Sequence, residues 1–115
     1  MKYLLSVIAL IIIFEMCSAK KTATVQYNFP PIMSDTIRKI TQEQCDKGLA
    51  LFRLNCSRCH TDTIKGREII PNFSTEQLSN YEFRFRNKKH EDNLTESQLT
   101  QDELVLIITF LTYKK

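Results

Sequence analysis

Cys56-Ser57-Arg58-Cys59-His60 is the stretch on which the rest of this sequence turns. Two cysteines separated by two residues and followed at once by a histidine form the attachment pattern of c-type haem. The chemistry explains the spacing. One tight turn aims both thiols at the same porphyrin edge, where each forms a thioether with a vinyl group. The next residue puts an imidazole under the ring to bind iron. On this pattern Cys56 and Cys59 attach one haem c and His60 is its proximal ligand. The competing readings are weaker. A Cys-x-x-Cys redox pair belongs with a βαβ pattern, and none flanks this one. A zinc site of Cys45, Cys56, Cys59 and a histidine has enough ligands, but its spacing matches no common zinc module.

The chain of 115 residues allows one small domain. Residues 1–19 read as a signal peptide: Lys2, an apolar stretch from Leu4 to Phe14 broken only by Ser6, and the small residues of Cys17-Ser18-Ala19 before a cut at Lys20. The apolar stretch is shorter than the ~20 residues of a membrane span. The alternatives are a lipidated Cys17 or a leader retained as a membrane anchor; the large and polar Phe14-Glu15-Met16 suits an ordinary lipobox poorly. Export places the protein in a periplasm or on the outer face of the cytoplasmic membrane. Loss of the leader removes Lys2 and Glu15 and leaves the formal charge at +3. That is a mildly basic surface and not the signature of a nucleic-acid binder. A chain this short buries a small core and needs a staple. A covalently held haem would serve as one, and the haem-free chain is expected to be largely disordered.

Residues 20–40 form an N-terminal arm or tether. Thr22 to Tyr27 is rich in β-branched residues, Phe29-Pro30-Pro31 enforces an extended path, and Ser34-Asp35 is placed to cap a short turn reaching Ile40. The domain proper, 41–115, opens with a helix from about Gln42 to Asn55, with Thr41-Gln42-Glu43-Gln44 at capping-box spacing. Cys45, Leu49, Phe52 and Cys56 fall on one face. Cys45 reads as a small core residue, with an intermolecular disulfide as the alternative. Gly48 costs helix propensity, about 1 kcal/mol against Ala, and is expected to admit a closely crossing helix. After His60 the chain is read as a loop punctuated by Asp62, Gly66 and Pro71. Capping-box spacing recurs at Ser74-Thr75-Glu76-Gln77, before a helix with Leu78, Tyr81 and Phe85 on one face, and at Thr100-Gln101-Asp102-Glu103, before a last helix through Leu104, Ile107, Ile108 and Leu111 to Tyr113. Between these two helices, Arg84 to Asp92 is a charged run.

From Thr41 to Tyr113 the sequence resembles the class I cytochromes c. The marks are Gly48-Leu49-Ala50-Leu51-Phe52 just before Cys56, the haem motif itself, Pro71 beyond His60, and the terminal helix from Glu103 to Leu111. The resemblance implies an all-α cytochrome c fold, three main helices packed around one covalently attached haem with an extended N-terminal arm. It also implies that the first and last helices cross at Gly48 and Phe110 or Tyr113, and that the carbonyl of Pro71 fixes the tautomer of the proximal imidazole.

One departure from the family governs function. Its usual second ligand is a methionine between the motif and the last helix, whereas Met1, Met16 and Met33 all precede the motif here. His90 lies about where the family places that ligand, so His60 and His90 are expected to ligate the iron together. The alternatives for the sixth position are Met33 folded over from the arm, Lys88 or Lys89, or an open site with His90 solvated. Arg67, Arg84 and Arg86 are candidate partners of the haem propionates. The expected function is one-electron transfer to redox partner proteins, including a larger respiratory complex, with Arg58, Lys88 and Lys89 steering acidic partners. The alternative is an open-site haem protein that binds a small gas or reduces peroxide.

Overall fold

The computed structural model describes residues 24–94 and 99–115. The leader, Cys17 and residues 20–23 lie outside them. The described residues form a mostly helical fold with one small hairpin. In order these are α1 Asp35–Asn55, α2 Ser57–His60, β1 Asp62–Ile64, β2 Arg67–Ile69, α3 Thr75–Ser79, α4 Tyr81–Phe85, α5 Lys88–Asn93 and α6 Gln101–Tyr113. None of the described helices is long and apolar enough to cross a membrane.

The fold is built on the crossing of α1 and α6. Thr41, Cys45, Gly48 and Phe52 recur at helical spacing and are the buried face of α1. Leu104, Ile107, Phe110 and Leu111 are their counterparts on α6. A Cβ at Gly48 would fall onto the carbonyl oxygen of Leu106 and lie 2.7 Å from its carbonyl carbon and 2.8 Å from Phe110 Cβ. The two backbones therefore meet where only a hydrogen fits. Of the two aromatic candidates at this crossing, Phe110 occupies it. Beside it the rings of Phe52 and Phe110 pack 5.8 Å apart at 55°, and each such buried ring stabilises the fold by roughly 1.5–3 kcal/mol. Cys45 is fully buried in the same seam, its thiol donating to the Thr109 carbonyl at 3.8 Å. That is the core role expected of it, and burial pushes the thiol's pKa up to about 11.

The first helix starts earlier than its sequence suggests. Ser34 is the N-cap, accepting from the Ile37 amide, and Asp35 favours the first turn. Neither Pro nor Gly interrupts residues 35–47, so the helix runs through Thr41, whose hydroxyl donates to the Ile37 carbonyl at 2.8 Å. Residues 35–40, read in sequence as part of the arm, are thus the first turns of α1. Residues 26–29 run against the end of α6. The Asn28 amide donates to the Tyr113 carbonyl at 2.7 Å, the Lys115 amide donates to the Gln26 carbonyl at 2.8 Å, and the Phe29 ring lies 5.2 Å from that of Tyr113. The Tyr27 hydroxyl donates to Asp46 at 2.7 Å.

The expected loop after His60 contains an antiparallel hairpin. Asp62 pairs with Ile69, and Ile64 with Arg67. Lys65 and Gly66 turn it with φ of 51° and 75°, the left-handed pair that a two-residue hairpin of matching twist requires. The Arg53 guanidinium holds Glu68 through Nε at 3.0 Å and Nη2 at 2.7 Å, fastening the hairpin to α1. Lys114 closes the other side, with Nζ donating to the Ile70 carbonyl at 3.2 Å and to Asn72 Oδ1 at 2.6 Å.

Candidate functional site

The CxxCH stretch forms one turn at the end of α1. Cys56 caps that helix with φ −114° and ψ −30°, and its carbonyl accepts from the Cys59 amide at 3.2 Å and the His60 amide at 2.9 Å. The bend at Cys56 lets the chain turn tightly while the Cys56 amide still donates to the Phe52 carbonyl at 2.8 Å. Both thiols and the imidazole are thereby placed on one cleft of about 550 Å³, a size suited to a small-molecule ligand or cofactor.

All six described helices contribute to that cleft. Phe52 of α1 and Leu104, Ile107, Ile108 and Leu111 of α6 give it an apolar side. Phe73 packs edge-on against His60, with ring centres 5.8 Å apart. Leu78, Tyr81 and Phe85 form another wall. They come from two one-turn helices broken at Asn80 rather than from one continuous helix, and Phe83 points outward, 88% exposed. Two of the three expected capping boxes form. Ser74 and Gln77 exchange bonds at the start of α3, and Thr100 and Glu103 do so at α6.

His90 completes the cleft. The charged run contains α5, capped by Asn87. His90 stands between Phe85, with ring centres 5.3 Å apart, and His60, with ring centres 5.9 Å apart and planes 27° from parallel. Its Nδ1 lies 3.1 Å from the Arg84 carbonyl. Burial, and secondarily the charge of His90, lower the pKa of His60 and favour the neutral imidazole that ligates metals.

The sequence candidates divide. Cys56, Cys59, His60, His90 and Arg84 line the cleft together. Arg67, on exposed β2, does not line it, and neither do Pro71, Arg86, Lys88 or Met33. Pro71 lies beyond β2, and the near neighbours of the His60 ring are Phe73 and His90. Lys88 pairs with Asp92 at 3.6 Å, and Met33 stays at the foot of α1, where its carbonyl accepts from Arg38. Phe73 and Asn87 are members of the site not singled out in the sequence. Asn87 could have been found from its N-cap spacing to His90.

The donor set suits a haem better than a bare ion. Among the described residues no group of three or more His, Cys, Asp or Glu side chains is arranged around a common point. A porphyrin supplies four equatorial nitrogens and asks the protein only for axial ligands. The two imidazole centres lie 5.9 Å apart on this cleft. Arg58 and Arg84 line the cleft and no carboxylate does among the described residues, which favours a ligand carrying propionates. Burial and the neighbouring Cys59 push the Cys56 thiol up to about 11, the opposite of the lowered thiol pKa that a dithiol redox catalyst needs. Comparison with protein-family models, with curated proteins and with solved structures finds no match to this chain.

Proposed function

We propose that this chain holds one covalently attached c-type haem and carries single electrons, in the manner of the class I cytochromes c that its sequence resembles. The observation behind this reading is that the two histidines of the chain meet on one apolar cleft edged by the thiols of Cys56 and Cys59. When bound there, the haem supplies a ferrous–ferric couple. Cys56 and Cys59 fix the porphyrin edge through thioethers. His60 and His90 would be the protein's ligands to its iron, and two such ligands would leave no position for a substrate. Phe52, Phe73, Ile107 and Leu111 would keep water from it, while Arg58 and Arg84 are the cleft residues available to propionates. The basic positions Arg58, Lys88 and Lys89 would steer acidic redox partners, and the leader would deliver the chain to an exported location.

Expression of the full chain with a c-type maturation system tests this directly. The expected product is a red protein whose pigment survives acid-acetone extraction and is lost when Cys56 and Cys59 are both changed to Ala. Pigment that extracts freely, or none at all, would overturn the proposal.

A further inference from the structure

Asn87 stands three residues before His90 and bonds both to its backbone and to the carbonyl that its ring contacts. Its Oδ1 accepts from the His90 backbone amide at 3.2 Å. Its Nδ2 donates to the Arg84 carbonyl at 2.5 Å. That same carbonyl is the partner of His90 Nδ1 at 3.1 Å. A carbonyl only accepts, so the bond requires the ring proton on Nδ1 and leaves the lone pair on Nε2. One amide side chain thus ties the backbone of His90 to the oxygen that selects its tautomer. Phe85 packs on the ring and restricts its swing.

We propose that Asn87 is a positioning residue for the distal imidazole, holding the Arg84 carbonyl where it keeps the His90 proton on Nδ1 and Nε2 free for iron. The proposal rests on the assignment of His90 as second axial ligand. Ligating histidines generally donate their other ring N–H to an acceptor, and loss of such support weakens metal affinity by roughly 10–100-fold. The Asn87 side chain has two separable jobs here. Oδ1 caps α5, while Nδ2 sets the carbonyl.

The haem-loaded full chain with Asn87→Ala and Asn87→Asp separates these jobs, because Asp keeps an N-cap acceptor and lacks the donor. Three quantities are read: ring ¹⁵N shifts of His90 in the diamagnetic ferrous protein, the concentration of external imidazole that displaces His90, and the thermal midpoint. In the unsubstituted protein the shifts should show protonated Nδ1 and iron-bound Nε2. Asn87→Ala should lower the displacing concentration by roughly 10-fold or more and lower the midpoint. Asn87→Asp should restore the midpoint but leave displacement as easy as in the Ala variant. If Asp restores both, Asn87 is only a helix cap and the proposal is overturned; it is equally overturned if Ala alters neither shifts nor displacement. A His90→Ala spectrum identical to that of the parent would remove the underlying ligation as well.

Discussion

The imidazoles of His60 and His90 stand with ring centres 5.9 Å apart, brought together by α2 and α5 from opposite ends of the central sequence. If both bind one iron, removal of His90 must open the sixth position. His90→Ala is expected to convert a low-spin optical spectrum to high-spin and to make the ferrous protein bind carbon monoxide rapidly. His90→Met should raise the reduction potential, since Met/His ligation lies above bis-histidine within the ~0.8 V over which axial ligands tune haem. An unchanged spectrum in the alanine variant would exclude the bis-histidine site.

Gly48 sits where the backbones of α1 and α6 meet. Its missing side chain would strike the Leu106 carbonyl, which is backbone and cannot rotate away. Gly48→Ala gains about 1 kcal/mol of helix propensity but overpacks the crossing of α1 and α6, typically at 1–3 kcal/mol and occasionally more. A net loss of up to about 2 kcal/mol is expected, seen as a lower urea midpoint with unchanged slope. Equal or greater stability would show that the helices separate freely.

Much of this arrangement was legible where its cause is local. The turn at Cys56–His60, the caps at Ser74 and Thr100, and the reason for Gly48 each follow from a few adjacent residues. Thr41 shows the limit of such reasoning. It has the same spacing as the true caps, but Ser34 begins the helix upstream and nothing between them stops it. The hairpin escaped notice because strands of three residues, mostly exposed, show no alternation of apolar and polar positions. The support of His90 by Arg84 was invisible for another reason: the acceptor is a backbone carbonyl, which every residue possesses. The pairing of Tyr27 with Lys114 joins the first described stretch to the last through main-chain bonds that carry no sequence mark.

Arg53 and Glu68 join α1 to β2 through a two-pronged, partly buried contact, with side chains 25% and 27% exposed. Such geometry is worth more than an ordinary surface pair, for which 0–1 kcal/mol is usual. Glu68→Gln is expected to cost about 1 kcal/mol and to loosen the hairpin without changing the optical spectrum, since neither residue lines the cleft. A double-mutant cycle with Arg53→Gln isolates the coupling. A coupling near zero would mean that the hairpin is held by Lys114 and its own ladder.

Cys45 sets an alkaline limit on stability. Its thiol is fully buried between α1 and α6, and its pKa rises from 9.0 to about 11, first from burial and then from the nearby Asp46 carboxylate. The folded chain therefore keeps a proton that the unfolded chain releases. By linkage, stability is full below pH 9 and declines as the pH climbs through 11. Cys56 has a similar shift as a free thiol but cannot titrate once bound as a thioether, so in the haem-loaded protein Cys45 is the thiol that matters. Tyr27, raised by burial and by its bond to Asp46, bends the curve the same way at still higher pH. Urea midpoints measured from pH 8 to 11 should fall more steeply for the parent than for Cys45→Ala, which starts less stable because it leaves a small void. Parallel curves would show that the thiol ionises as readily in the folded protein as in the unfolded one.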